Sequence, residues 1–310
     1  MASDEVMISM LQCHPVDLSA SGRRRDGVDQ HFVSLRCMAV GVPAKPGPVQ
    51  HTEVLFAGDM ICVWDLETTS KWPAFADPLD VCFRFLKVVV RGGRLDLEAL
   101  PAATHFDSFV RPLGGKVPRE STEVHGLELK DVEGAQGVVQ VTARMMAAIS
   151  AATVAAGQSA AVEERRVWLA GHNTNTYDMK VMQCVLERAE KKVGGWLERL
   201  SGSGVIGMLD SLALLGSKFK AIAGLSGSTK KLTDVYEAVF SGRKMENAHR
   251  AAGDVVGLVQ IILSSESMKA CLLSKTVGIS LAAWWARQTE LATRSAWEKA
   301  LKHGAGAGDK

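Results

Sequence analysis

The 310-residue chain has no C-x-x-C pair, no marked surplus of either charge, no long apolar run free of polar residues and no internal repeat. Each absence removes a class of protein. The six cysteines, Cys13, Cys37, Cys62, Cys82, Cys184 and Cys271, are scattered along the chain. That excludes a disulfide framework and a cysteine-bound zinc cluster, and it favours reduced thiols packed in the core of an intracellular protein. Lys and Arg number 36 against 34 Asp and Glu, a net charge of +2. No overall field draws the molecule to an acidic partner, so any basic groove has to be local. The opening MASDEVMISM is acidic and lacks a basic n-region with an apolar core, so a secretory signal is not expected. The most apolar stretch, residues 137–157, contains Gln140, Thr142 and Arg144. It reads as a buried helix, and no membrane association is expected. An intracellular location follows, with nucleus and cytoplasm indistinguishable.

What remains is ordinary for a globular protein: 47% hydrophobic and 23% charged residues, in a chain long enough for one large domain or one domain with additions. Residues 1–57 read as an N-terminal extension with strand-like runs at 5–14 and 31–42 around the triplet Arg23, Arg24, Arg25. Residues 58–265 are expected to form the main domain, 266–303 a C-terminal helical extension and 304–310 a disordered tail. A strand ends near residue 69, and Gly92-Gly93 separates two β-rich runs as a hairpin would. Residues 104–112 suggest a third strand. Strands at 167–172 and 205–210 then alternate with helical patterns at 137–156, 176–192, 230–240, 247–264 and 280–302. Strands first and alternation later imply one α/β domain with a mixed sheet.

The segment CVWDLETTS (62–70) carries Asp65 and Glu67 near the end of an apolar strand. Val63, Asp65 and Glu67 alternate, so they share one side of that strand. Such a pair is either a polar strand end entering a turn or one half of a divalent-metal site. Asp178 falls in the first turn of a helix for which Thr176 is a plausible cap, and it heads the apolar row Met182, Val185 and Ala189. An acidic residue there is explained by the helix dipole or, on a buried face, by a cation. Asp254 likewise heads a row through Leu258 and Ile261. His249 lies five residues earlier, and on a continuous helix five residues turn by about 500°. His249 can meet Asp254 only if it stands in a loop or the opening turn, where Asn247 is a possible cap. Taken together, four carboxylates can cradle two divalent ions, and a histidine titrates in the right range to take a proton from water. That combination suits phosphodiester hydrolysis.

In order and spacing, DLETT (65–69), HNTNTYD (172–178) and HRAAGD (249–254) resemble the three exonuclease motifs of the DEDDh family of 3′→5′ exonucleases. This family includes proofreading subunits, RNase T and the three-prime repair exonucleases. FVRPLGGKVPRESTEVHGL (109–127) is similar to the segment between the first two motifs. HRAAGDVVGL and MLDSLALL (208–215) look most like the repair exonucleases. The resemblance covers residues 60–265.

It implies a ribonuclease H-like fold, a five-stranded mixed sheet flanked by helices. It assigns Asp65, Glu67, Asp178 and Asp254 as ligands of two Mg2+ or Mn2+ ions and His249 as general base. Arg250 stands where the tyrosine-using branch would need its Tyr. The implied substrate contacts are Leu66, Thr68, Leu127, His172, Asn173 and Tyr177, although Leu66, Leu127 and Tyr177 are equally explained by packing. The implied substrate is a free 3′ end, expected in single-stranded DNA and gripped without regard to sequence. RNA remains an alternative substrate, as does a proofreading role inside a polymerase complex. Lys116, Arg119, Lys230, Lys231, Arg243 and Lys244 could offset backbone charge or be solvated surface groups. Pairing of two copies through a sheet edge is a further implication. Trp284, Trp285 and Trp297 are expected to pack the last helix on the body.

Overall fold

Strand β1, Met60–Thr68, sends alternate side chains into two separate cores. Met60, Cys62, Trp64 and Leu66 enter one, and Ile61 and Val63 the other. Only a central strand with both faces covered has this pattern. In the computed structural model, residues 54–214, 231–274 and 278–304 are described. The strand-like runs read at 5–14 and 31–42, like Lys230, lie outside them.

Among the described residues, seven strands form one sheet in the order β3-β2-β1-β5-β6-β7, with β4 also paired to β2. The strands are β2 (Pro78–Arg91), β3 (Arg94–Ala99), β4 (Phe106–Phe109), β5 (Val167–Gly171), β6 (Val205–Asp210) and β7 (Gly278–Ser280). β1 is antiparallel to β2 and parallel to β5, β5 is parallel to β6, and β7 closes the far edge antiparallel to β6. The mixed α/β, ribonuclease H-like architecture expected from the sequence is therefore present, with β4 and β7 added to its five main strands. β2 and β3 meet at Gly92 and Gly93, at φ +56° and +76°, the left-handed pair that a two-residue hairpin turn requires.

Helices α1 (Arg119–His125) and α2 (Leu129–Val132) lie between β4 and the long helix α3 (Val138–Ala155). α3 is long and apolar enough by composition to cross a membrane, but here Val141, Met145, Ile149 and Ala152 lie in the first core. That core also takes α4 (Asp178–Glu190) and α5 (Gly195–Ser201), and it centres on Trp64, Phe83 and Trp196. The short α6 (Ser211–Leu214) follows β6. On the opposite face α7 (Leu232–Val239), α8 (Ala251–Leu263) and α9 (Glu266–Leu272) cover Ile61, Val63, Leu86 and Trp168. Of the rows read from the sequence, Met182 and Val185 on α4 and Leu258 and Ile261 on α8 are buried, and Ala189 is partly buried.

Two cap assignments differ from the sequence reading. α4 begins at Asp178 with Tyr177 as its N-cap, because Thr176 turns its hydroxyl to Asn173. α8 begins at Ala251 with Arg250 as its N-cap, and Asn247 stands outside it at φ +53°.

The last helix, α10 (Leu281–Gly304), packs on the body through Trp284, which is 1% exposed, and partly through Trp285. Trp284 also donates from Nε1 to the Asn175 carbonyl at 2.7 Å, which ties α10 to the loop before Asp178. Removing that ring leaves a cavity and an unpaired carbonyl. Trp284→Ala is expected to cost about 3–5 kcal/mol in chemical denaturation. A loss under about 1 kcal/mol would show that α10 is not part of the core.

Candidate active site

The C-terminal ends of the parallel strands β1, β5 and β6 are where the acidic residues gather, as ligands do in open α/β sheets. Asp65 and Glu67 sit at the end of β1, on the same side as Val63 and therefore toward α8. Asp254 lies in the first turn of α8. One carboxylate oxygen from each of Asp65, Glu67 and Asp254 lies within 4.8 Å of the others. Asp178, buried at the start of α4, borders this trio closely enough to be the first charge that raises Asp65.

Burial pushes all four carboxyl groups upward, and repulsion adds to it at Asp65 and Glu67. Glu67 is raised to about 8, by burial first and then by Asp254, Asp80 and Asp178. Asp178 is also raised to about 8, mainly by burial. Asp65 is held well above the carboxylate range by burial and by Asp178, Asp254, Glu67 and Asp80. Burial raises Asp254 as well, opposed by its hydrogen bond from the His249 amide and by the His249 charge. Four crowded acids with oxygen donors suit a hard divalent cation such as Mg2+ or Mn2+. By chemistry and spacing, Asp65, Glu67 and Asp254 fit one, with Asp178 placed to contribute beside Asp65.

His249 stands outside α8 on an exposed loop at φ +64°, the departure from the helix that the five-residue spacing demands. Its backbone amide donates to Asp254 Oδ1 at 3.1 Å. Gly253 makes this loop possible. A Cβ there would come within 2.0 Å of the Asn247 carbonyl oxygen, so the backbone before His249 can lie on α8 only over a glycine.

Leu66, Thr68 and Tyr177 line a cavity of about 760 Å³ that opens beside Glu67. The Tyr177 hydroxyl meets Thr68 Oγ1 and the Ser70 carbonyl. Leu127 is buried with Leu79 and Val132 and does not line that cavity. Nor do His172 and Asn173: His172 Nδ1 pairs with Ser211 Oγ at 3.0 Å, and the Asn173 amide donates to Asp210 Oδ1 at 2.9 Å. Asp210 also accepts from the Asn175 and Leu212 amides, so it fixes the turn that delivers Asp178. Among the basic residues, Lys116 lines the cavity and Lys231 is exposed at the start of α7. Arg119, Arg243 and Lys244 pair with Glu123, Glu246 and Glu237.

Two residues near the acids, Asp80 and His125, escaped the sequence reading, and Arg250 was read only as the residue in place of a Tyr. Asp80 faces Glu67 across the β1–β2 register and accepts from Arg250 Nε at 3.1 Å. Arg250 also lies over the Phe109 ring, 5.4 Å from its centroid. This ion pair joins β2 to the residue after His249. His125 ends α1, lines the cavity and accepts from the Leu127 amide at Nδ1, at 3.0 Å. Its ring faces the Thr68 backbone, and burial lowers its pKa, so the neutral tautomer is favoured. The His125-Gly126 pair was the available signal for it. A β2 carboxylate pairing with an arginine 170 residues away leaves no local trace.

Neither a protein-family model nor a curated protein sequence matches the chain. Solved structures do. E. coli exonuclease I, zinc-bound with single-stranded DNA, matches at 14% identity and a TM-score of 0.46 over 66% of this chain and 40% of that one. The same enzyme with a dT13 oligonucleotide matches at 13% and 0.46, over 66% and 41%. Cell-death related nuclease 4 matches at 12% and 0.46, over 66% and 62%. The chain thus spans less than two thirds of each. At these identities and scores the likenesses carry no argument about activity, which is taken up from the residues alone.

The raised carboxyls link metal, protons and stability. Glu67 ionises near 4.5 when solvated and at about 8 here. Its contribution to the metal-free fold is complete below about pH 4.5 and is lost as pH rises through about 8. Cation binding needs the ionised form, so affinity rises across the same window. The metal-free Tm is expected to fall between about pH 6 and pH 8.5, and the Tm gain on adding Mn2+ to grow over that range. A Mn2+ gain larger at the acid end would contradict this.

Proposed function

We propose that this chain is a metal-dependent 3′→5′ exonuclease that removes nucleoside 5′-monophosphates from the 3′ end of DNA, with single strands as the preferred substrate. The observation that carries this reading is the convergence of Asp65, Glu67 and Asp254 within 4.8 Å, with Asp178 beside them and His249 on the loop outside. Asp65, Glu67, Asp178 and Asp254 would hold two divalent ions, which would supply positive charge against developing negative charge and lower the pKa of water.

The chain's own groups do the rest. The cavity beside Glu67 takes the terminal nucleoside, against Leu66, Thr68 and Tyr177. His249, exposed and close enough for its charge to be felt at Asp254, is the group that accepts the proton of the attacking water. The water oxygen bonds to phosphorus, the P–O3′ bond breaks, and the 3′ oxygen takes a proton from solvent, so the shortened strand leaves with a 3′-hydroxyl. Asp254, accepting from the His249 amide, keeps base and ligand in one frame.

A 3′-labelled single strand, as DNA and as RNA, incubated with Mn2+ or with chelator, tests this. Wild-type protein is expected to release label as mononucleotide from DNA, dependent on metal. Asp254→Ala is expected to lower turnover by roughly a hundredfold or more, because it removes a ligand. His249→Ala is expected to lower it by roughly 10²–10⁴ while calorimetric Mn2+ affinity stays within about threefold, because the base is not a ligand. Equal release by wild type and Asp254→Ala would contradict the assignment.

A further inference from the structure

The cavity at Glu67 extends outward along the loop that joins β1 to β2, residues 70–76, and there it meets two aromatic rings that face solvent. Trp72 is 64% exposed and Phe75 is 75% exposed, and both line the cavity that holds Glu67, Thr68 and Tyr177. Among the described residues no ring contact involves either of them except that of Lys71, whose Nζ lies 5.7 Å from the Trp72 centroid.

Exposed though they are, the rings stand on a braced loop. Thr69 N donates to the Asp77 carbonyl, and Asp77 N to Thr69 Oγ1, both at 2.9 Å. Arg188 on α4 holds Asp77 Oδ1 at 2.7 Å. The Phe75 and Ala76 amides both donate to the Trp72 carbonyl, and the Ala76 side chain is buried in the first core. The Tyr177 hydroxyl ties the loop's first residue, Ser70, to the residue before Asp178. A loop that is only a connection would not carry two large apolar side chains outward on so fixed a frame. A loop backbone already held in place loses little freedom on binding.

We propose that Trp72 and Phe75 form a stacking platform for the nucleobases of a single strand whose 3′ end lies at the carboxylates. This rests on the reading of the acidic site as a phosphodiesterase centre. Lys71 beside Trp72, and Lys116 on the cavity wall, place positive charge where the strand's phosphates pass. Asp77, a buried carboxylate of the cavity lining, is committed to Arg188 and to the Gly114 amide. Every base has a π-face, so such a platform accepts any sequence. It disfavours a duplex, in which those faces are already stacked.

The test uses the full chain and a fluorescein-labelled oligothymidylate of about twelve nucleotides, a length within single-strand site sizes, with chelator present to prevent turnover. Wild type is expected to bind it more tightly than the matching duplex. Trp72→Ala/Phe75→Ala is expected to bind it roughly ten- to a hundredfold more weakly, while Trp72→Phe stays within about threefold because a ring remains. Tryptophan quenching by the strand is expected to be smaller in Trp72→Phe than in wild type. Unchanged affinity in the double variant, or no binding by wild type, overturns the platform. A wild type that binds the strand with this quenching but does not cut it when Mn2+ is supplied overturns the reading of the acidic site instead.

Discussion

Like charge held at close quarters is the constraint around which this molecule is built. Four carboxyl groups from three distant segments are pressed together at one end of a sheet, partly out of water. Burial pushes each toward its neutral form, and at Asp65 and Glu67 the neighbouring acids add to the push. An arrangement of this kind is costly to a folded chain unless a cation reverses the sign of the interaction. The surrounding structure therefore has to impose the proximity by stiffer means than the acids' own contacts.

Several devices impose it. Asp65 and Glu67 are fixed by β1, which is paired on both sides and buried on both faces. Asp178 is delivered by a turn whose amides converge on Asp210 and whose Asn175 carbonyl is held by Trp284 of α10. Asp254 and His249 share a helix start that closes over Gly253. Arg250 extends the same loop to Asp80 on β2. None of these groups needs to touch a substrate, yet each sets the position of one that would. Local costs accepted at a site and met by packing elsewhere are what separate functional regions from the rest of a fold.

This division also explains what could be read without the structure. β1, the Gly92-Gly93 hairpin, α3 and the buried rows of α4 and α8 were legible because periodicity and turn chemistry act over a few residues. The placement of His249 off the helix followed from its spacing to Asp254 once the two were taken to share a site. α1, α5 and α9 span seven residues each and β7 spans three, too few to show a period. The caps were misplaced because Thr176 and Asn247 have the right chemistry, but Thr176 spends its hydroxyl on Asn173 and Asn247 lies outside the first turn of α8. Asp80 with Arg250, and Gly253 beneath Asn247, depend on backbone segments brought together only by the fold. Trp72 and Phe75 were silent for a different reason: in a sequence, aromatic residues count toward the core, and their exposure is a property of the braced loop.

The most direct test of the central claim is anomalous diffraction from crystals grown at about pH 8, where Glu67 and Asp178 ionise, and soaked in Mn2+. The account requires a strong anomalous peak bounded by oxygens of Asp65, Glu67 and Asp254, with a second ion reached by Asp178. Carboxylates that stay crowded with no anomalous density among them would contradict it.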